Sequence, residues 1–305
     1  MNHLNISATA HGLNYLPEYH ADAAGMFADV DLTVTATARD PWTGVLDDLA
    51  SGAADIALGG LWVPGMYAGT SRELVVFAQL NHRFPKALVT RDELPEFDWA
   101  ALAGRTVLAP GIGGSAPYAI TAGLIRAAGA DPAETTFLRD LSTPMFVELF
   151  RAGLGDAIVL DMTTAQLVVE QGEGHVAVDY ASAWGVGPNS VYYCRADRFE
   201  ELSDRLVAFT TALSRAMDAI AQSSPEDLGP LLRQHWPSLP EAVRQRACRA
   251  IQLSGTWDTV VIEPEGVERW MGVLADERMV RSAPTFADLV CTDIVDRIPV
   301  PSAAS

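Results

Sequence analysis

The sequence predicts a two-lobed α/β protein with mixed, mostly parallel sheets and C-terminal helices. Three observations support this fold class. The chain has 305 residues, 49% of them apolar, so it is long enough to bury two cores. Predicted strands alternate with predicted helices, which is typical of parallel sheets. A helix, glycine, aspartate, strand unit also occurs twice, which indicates two similar lobes.

Alternating apolar and polar side chains predict strands, and apolar residues at helical spacing predict helices. Glycines such as Gly52 are expected to end helices. The predicted elements are, in order, a strand over 4–10, a helix over 17–27, strands over 32–37 and 55–58 separated by a helix over 43–50, a strand within 102–109, a helix over 115–128, a strand over 190–194, and helices over 241–251 and 264–275.

The repeated unit spans Leu49–Leu58 and recurs at Phe150–Val159. About 100 residues separate the copies, which is too far for a solenoid repeat. We therefore interpret them as equivalent parts of two lobes. Residues 1–85 and 188–305 are assigned to the first lobe and residues 86–187 to the second, with a ligand cleft between them.

Charge excludes several classes of partner. The formal net charge is −18, and a chain this acidic repels nucleic-acid phosphates and anionic membranes. No stretch reaches the roughly 18 to 20 apolar residues that span a bilayer. The N-terminus lacks a basic segment followed by an apolar core, so we expect a cytoplasmic protein. An ABC-transporter permease is an expected partner only if the chain is exported.

Metal, cofactor and nucleophile chemistry have no clear signature. The three cysteines Cys194, Cys248 and Cys291 are widely spaced and form no CxxC pair, which favours reduced thiols. The sequence shows no ligand cluster with metal spacing and no convincing Ser/His/Asp set. Cys194 is expected to be a small buried residue rather than a nucleophile. We expect neither a metal nor a cofactor.

Three stretches carry a resemblance to a known family. The first is Tyr15–Val34, with Ala24-Gly25-Met26-Phe27 before a strand. The second is Ser51–Gly60, and the third runs from Trp99 through Gly104 to Tyr118. In order and spacing they resemble nitrate/sulfonate/taurine-type ABC-transporter binding proteins and fungal-type thiamine-pyrimidine synthases. The resemblance covers nearly the whole chain.

The resemblance implies a type 2 periplasmic-binding-protein fold, with two lobes, a hinge of two crossing strands and a small ligand between the lobes. It does not imply one function, because this fold carries both solute-binding proteins and enzymes. The chain departs from the secreted members, which begin with a signal segment. It also lacks the cysteine-rich motif of the pyrimidine synthases, and Lys86, its only lysine, is no clear counterpart to their cofactor lysine.

Ligands of open α/β sheets lie beyond the carboxyl ends of the strands, so the loops there hold the candidate residues. In the first loop, His11 and Tyr15 are candidates for proton transfer and Asn14 for ligand binding, although the loop also suits a simple helix-capping turn. Trp42 could stack on a flat ligand, or it could belong to an ordinary turn before a helix. Gly60 and Trp62 follow a buried strand, where a glycine lets the backbone approach a ligand or forms a tight turn.

The second lobe offers an anion site. Gly113, Gly114 and Ser115 precede a helix, where free backbone N–H groups and a hydroxyl suit a carboxylate, sulfonate or phosphate. Tyr118, in the same segment, is a further candidate for ligand binding. The alternative interpretation of the segment is a flexible connector. Ser142 and Asp161 follow later strands and are further ligand candidates. Asp161 also suits a plain helix N-cap.

His82 and Arg83 lie near the predicted lobe crossover. The imidazole is a candidate catalytic group and the guanidinium a candidate anion contact, although a hinge-surface role is equally consistent with the sequence.

Two functions remain open. One is capture of a small anionic or heteroaromatic solute by closure of the lobes, without chemistry. The other is a cofactor-independent lyase acting on a small organic acid, such as a decarboxylase, desulfinase or dehydratase, or a pyrimidine-synthase-like enzyme, in which closure excludes water. The missing export signal and the candidates His11, Tyr15 and His82 favour the lyase.

Overall fold

The structure is a computed structural model that describes residues 2–71, 73–110 and 116–299. The chain forms two compact units. The first contains Met1–His82, Val186–Leu231 and Gly255–Ser305, and the second contains Arg83–Gly185 and Leu232–Ser254.

Strands and helices alternate through most of the described chain. The strands are β1 (Asn2–Ala8), β2 (Leu32–Ala38), β3 (Ile56–Gly60), β4 (Leu74–Gln79), β5 (Lys86–Thr90), β6 (Thr106–Leu108), β7 (Thr136–Leu138), β8 (Ala157–Asp161), β9 (His175–Asp179) and β10 (Ser190–Arg195). The helices are α1 (Leu16–Ala23), α2 (Gly44–Ser51), α3 (Trp62–Tyr67), α4 (Ala116–Ala127), α5 (Thr143–Arg151), α6 (Met162–Glu170), α7 (Tyr180–Trp184), α8 (Phe199–Gln222), α9 (Gly229–His235), α10 (Glu241–Leu253), α11 (Pro264–Asp276) and α12 (Phe286–Leu289).

The first unit contains a five-stranded mixed sheet in the order β2-β1-β3-β10-β4. β1 pairs in parallel with β2 and β3, whereas β10 runs antiparallel to both β3 and β4. As a result, β1 to β4 all end at one edge of the sheet, which we call the carboxyl edge, and β10 begins there.

The second unit repeats this arrangement with the order β7-β6-β8-β5-β9. β6 pairs in parallel with β7 and β8, and β5 runs antiparallel to β8 and β9. The predicted mixed sheets are therefore present in both units.

The repeated helix, glycine, aspartate, strand unit places one aspartate at the same point in each sheet. Asp55 Oδ2 accepts the backbone N–H of Asn5 at 3.0 Å, and Asp156 Oδ2 accepts that of Thr106 at 2.8 Å. The aspartate N–H groups in turn donate to the carbonyls of Asn5 and Thr106, at 2.9 and 2.8 Å. Each aspartate thus fixes its strand against the first strand of the parallel set, which explains why the motif recurs.

The long helix α8 closes the core of the first unit. Its apolar stripe buries Leu202, Leu206, Phe209 and Leu213. The Phe209 ring stacks on Phe27 with centroids 5.4 Å apart and meets Tyr192 edge-on at 4.8 Å. Aromatic pairs of this kind stabilise a core beyond the area that they bury.

The observed units place residues 232–254 in the second unit, whereas the sequence-based division assigned them to the first. The boundaries also differ at residues 83–85 and 186–187. The reason for the first difference is visible in α10. Arg246 of this helix forms an ion pair with Glu170 and a hydrogen bond to Gln166, both on α6. An apolar stripe marks a helix as packed but does not identify its partner. Among the described residues, none of the helices combines the length and the apolar character that a membrane crossing requires.

Candidate functional site

The carboxyl edge of the first unit's sheet gathers several of the candidate residues. We call this group the edge cluster, and it consists of Asn14, Tyr15, Trp62, Asn81, His82 and Tyr193. They come from the segment after β1, the first residue of α3 just beyond β3, the second and third residues after β4, and the middle of β10. The cluster forms because β1, β3 and β4 end where β10 begins.

Trp62 lies directly over Gly60. A Cβ atom built on Gly60 would stand 1.8 Å from the Trp62 ring, so only glycine permits this placement. The indole also approaches the buried Trp270 of α11, with ring centroids 5.7 Å apart. The Trp62 indole nitrogen Nε1 is buried, and no residue of the described chain accepts its hydrogen bond.

Asn14 is held by two side chains that the sequence did not identify as its partners. Its amide Nδ2 donates to Asn81 Oδ1 at 2.8 Å, and Asn81 Nδ2 donates back to the Asn14 carbonyl at 2.7 Å. The Trp257 indole also donates to that carbonyl, at 2.9 Å. The first loop is therefore fixed in place, and the predicted ligand role of Asn14 competes with a structural one.

Two tyrosine hydroxyls of the edge cluster differ in how they are bonded. The buried Tyr15 hydroxyl lies 3.1 Å from Thr9 Oγ1, and burial raises the pKa of Tyr15 above its ordinary value of 10.0. The Tyr193 hydroxyl lies 3.1 Å from the position that a Cβ of Gly59 would occupy. It is buried and has no hydrogen-bond partner in the described chain.

His82 is 8% exposed, and its backbone is anchored while its ring is not. The backbone N–H donates to the Thr256 carbonyl at 2.8 Å, and the His82 carbonyl accepts from Gly187 N–H at 3.0 Å. Neither ring nitrogen forms a hydrogen bond within the described residues. The Glu263 carboxylate lies 3.7 Å from Nε2.

His11 and Trp42 lie in neighbouring loops of the same unit. The His11 ring is exposed and stacks on Tyr19 with centroids 5.1 Å apart, and its partial burial lowers the pKa of His11. Trp42 is half-buried in the turn that precedes α2. The catalytic role predicted for His11 and the stacking role predicted for Trp42 stay predictions.

In the second unit, Asp161 acts as the N-cap of α6. Its carboxylate accepts the Thr164 backbone N–H at 3.0 Å and the Thr164 hydroxyl at 2.7 Å. Burial alone would raise the pKa of Asp161, but the Lys86 ammonium and the Thr164 bonds lower it below its ordinary value. Lys86 is the residue opposite Asp161 in the pairing of β5 with β8. The capping alternative for Asp161 is thus observed.

Arg139, which sequence reasoning missed, follows β7 and stacks on a predicted site residue. Its guanidinium carbon lies 4.2 Å from the centroid of the Tyr118 ring. Tyr118 also meets Phe137 edge-on at 5.0 Å. These residues line an open concavity of about 780 Å³. The rule that ligand-binding residues follow strands led to Ser142 in this loop rather than to Arg139, which comes directly after β7.

The remaining predicted residues of the second unit are less informative. Ser142 is half-buried and precedes α5, and its carbonyl accepts the Phe146 N–H. Arg83 donates from Nη1 to the Ala181 carbonyl at 3.2 Å, while its buried Nε has no hydrogen-bond partner in the described chain. Gly113, Gly114 and Ser115 lie outside the described residues, so the predicted anion loop stays a prediction.

Metal and thiol chemistry find no support in the described part of the chain. No group of three or more His, Cys, Asp or Glu side chains there could hold a metal ion. Cys194 is buried, and burial raises the pKa of its thiol to about 12. A thiol with so high a pKa is a poor nucleophile at neutral pH.

Comparison with known proteins adds a sequence relative and two structural neighbours. The binding protein YtlA of Bacillus subtilis (strain 168), whose name gives it a provisional binding role and no ligand, is 24% identical over 240 residues. The match covers 76% of this chain and 70% of YtlA. The periplasmic sulfonate-binding protein SsuA of Methylobacillus flagellatus superposes with a TM-score of 0.77 at 13% identity, over 97% of this chain and 93% of SsuA.

The desulfurization enzyme DSZB shares the same fold, with a TM-score of 0.65 at 12% identity over 97% of this chain and 98% of that one. These likenesses confirm the predicted two-lobed periplasmic-binding-protein fold. The family described as "NMT1/THI5 like" matches residues 13–227. Because that match spans most of the chain, the protein belongs to the NMT1/THI5-like family.

Proposed function

We propose that this protein binds a small organic molecule, in the manner of a substrate-binding protein, and that the edge cluster supplies part of the contact. The fold supports the proposal, because the superposed SsuA is a sulfonate-binding protein and the sequence relative YtlA bears a binding role in its name. Closure of the two lobes around the ligand stays a prediction.

One observation carries the proposal. Three buried polar groups at or near the carboxyl edge, namely Trp62 Nε1, the His82 ring and the Tyr193 hydroxyl, have no hydrogen-bond partner among the described residues. A buried polar group without a partner costs about 1 to 3 kcal/mol, so each one calls for an explanation. A ligand that accepts hydrogen bonds from these groups would remove the cost.

The donors favour a ligand with acceptor atoms. Trp62 can only donate, and His82 and Tyr193 can donate as well. An anionic or heteroaromatic molecule fits this requirement, and its flat face suits the Trp62 indole.

The test is calorimetric titration and thermal unfolding with a matched panel of an alkanesulfonate, a carboxylate, nitrate and a pyrimidine. A true ligand at 100 times its Kd raises Tm by about 5 to 10 °C. Trp62→Phe and His82→Phe should each weaken binding of that ligand about tenfold or more. Unchanged affinity in both edge-cluster variants would refute the role of the cluster.

The lyase alternative is decided by the same samples. Tyr15, whose pKa is raised by burial, is poorly suited to proton transfer at neutral pH, which leaves His11 and His82 as the candidates for this alternative. Mass spectrometry of the bound compound after incubation distinguishes the two functions. An unchanged mass supports a binding protein, and a loss of carbon dioxide, sulfite or water identifies a lyase.

We propose an ABC-transporter permease as a partner only if the protein is exported. Fractionation of the native host separates the two cases, because a cytoplasmic location would exclude a permease that recruits its binding protein from outside.

A further inference from the structure

A separate cavity of about 500 Å³ lies within the first unit, at the edge of the sheet opposite the edge cluster. Here β4 begins and β10 ends. Ser190 at the carboxyl edge and Arg195 beside the cavity are five residue steps apart on β10, a distance of about 17 Å. The cavity is therefore distinct from the proposed ligand contacts, and its size is typical of small-molecule sites.

One side of the cavity is apolar. Leu46 and Leu49 of α2 and Leu74 of β4 contribute aliphatic side chains, and Leu49 and Leu74 are buried. Tyr67, the last residue of α3, adds a half-buried aromatic ring. These side chains suit the apolar body of a small molecule.

Hydrogen bonds connect the chain segments that line the cavity. Arg195 Nη1 donates to the Ala50 carbonyl at the end of α2, at 3.3 Å, and Ala196 N–H donates to the Glu73 carbonyl at 3.1 Å. Arg195 also binds Asp197 through two bonds, from Nε at 2.9 Å and from Nη2 at 2.5 Å. The walls are thus held in place before any molecule binds.

The charged groups favour a cation. The Arg195 charge is matched by the carboxylate of Asp197. Glu73 also lines the cavity, and its exposed carboxylate forms no ion pair with any residue that the structure describes. An aromatic ring such as that of Tyr67 attracts a cation over its face, and a chain with a net charge of −18 attracts cations from solution.

We propose that this cavity binds a small hydrophobic amine, whose apolar body contacts Leu46, Leu49 and Leu74 and whose ammonium group is held by Tyr67 and Glu73. The site is independent of the edge cluster, so both ligands can be bound at once.

The test uses three probes of similar size, namely phenethylamine, 2-phenylethanol and phenylacetate, in ligand-observed NMR titrations of the full chain. Phenethylamine should bind most tightly, and its affinity should fall with added salt. Glu73→Gln should weaken phenethylamine two- to fivefold and leave 2-phenylethanol unchanged. Glu73→Lys should reverse the preference toward phenylacetate.

A pair of matched variants tests the location. Ala50 lines the cavity and is exposed, so Ala50→Phe should fill the cavity and abolish binding, while the exposed Ala53→Phe just beyond α2 should not. A cooperative thermal unfolding transition in each variant is the control that both variants fold. Equal affinity for phenylacetate and phenethylamine, or retained phenethylamine binding in a folded Ala50→Phe protein, would overturn the proposal.

Discussion

Trp62 and Gly60 are in such close contact that residue 60 determines where the indole lies: a Cβ atom there would stand 1.8 Å from the Trp62 ring. Real Cβ atoms do not approach other heavy atoms below about 3 Å. The indole therefore keeps its position, with Nε1 buried, because β3 ends in a glycine.

Gly60→Ala is expected to displace the Trp62 ring and to weaken ligand binding by at least about tenfold, since a hydrogen bond and a stacking surface are lost together. Titration calorimetry measures the affinity, and tryptophan fluorescence reports the displaced ring. Gly123→Ala in α4 is the control, because a Cβ atom there meets nothing within 4 Å. Unchanged fluorescence and affinity in Gly60→Ala would contradict the role of this contact.

Glu18 provides a pH-dependent prediction. It is buried, it accepts the Tyr192 hydroxyl at 2.6 Å, and burial raises the pKa of Glu18 from 4.5 to about 7. The folded chain holds this proton more tightly than the unfolded chain does. The contribution of Glu18 to stability is therefore fully present below pH 4.5 and is lost as the pH rises to about 7.

Glu18→Gln should remove this dependence, because the amide cannot ionise and its oxygen can still accept from Tyr192. Above pH 7 the variant should exceed the parent in free energy of unfolding by about 1 to 3 kcal/mol. Urea denaturation between pH 4.5 and 8 measures the difference, with the exposed Glu226→Gln as control. Parallel pH profiles for the parent and Glu18→Gln would show that Glu18 ionises normally.

Substitution of Tyr193 should weaken ligand binding without loss of stability, whereas substitution of Tyr15 should lower the stability of the free protein. Tyr193→Phe removes a buried hydroxyl that has no partner in the described chain, so the free energy of unfolding should not fall. Ligand affinity should fall two- to tenfold. Tyr15→Phe breaks the bond to Thr9 and should destabilise the free protein by about 1 kcal/mol. Denaturation and calorimetry on the same samples test both, and a destabilised Tyr193→Phe would mean that its hydroxyl is bonded in the free protein.

Asn81→Ala is expected to release the first loop. The variant loses both hydrogen bonds to Asn14 and should be destabilised by about 2 kcal/mol. Asn189→Ala, which loses a single hydrogen bond to the Ser190 hydroxyl, is the control with a smaller loss. Hydrogen exchange of residues 11–15 localises the effect. Equal destabilisation by the two substitutions would argue against the Asn81 contact as the anchor of the loop.

Several strands and helices could be predicted from residue pattern alone, because alternation and helical spacing are local signals. The strand predicted over 190–194 is observed as β10 (Ser190–Arg195), and the helix predicted over 264–275 as α11 (Pro264–Asp276). What pattern could not supply is the partner of a packed element. For this reason the residue pattern placed α10 in the first lobe, although this helix contacts α6 of the second unit.

The candidate site was predictable only in part. The rule that ligands lie beyond strand ends predicted Gly60 and Trp62, and the predicted lobe crossover pointed to His82. It could not find Tyr193, whose position in the middle of β10 gives no sign that its hydroxyl reaches Gly59. Nor could it show that Asn14 is bonded to Asn81, because those residues are brought together only by the pairing of distant strands.

The paired aspartates also bear on how the chain folds. The Asp55 and Asp156 bonds join residues that are 50 positions apart in both units. Closing each loop costs the same chain entropy, and neither closure needs residues from the other unit. Each sheet can therefore establish its strand register from its own segment, and the two units can begin to fold independently. The slow step is then the pairing of strands that are distant in sequence, such as β10 with β3 and β4.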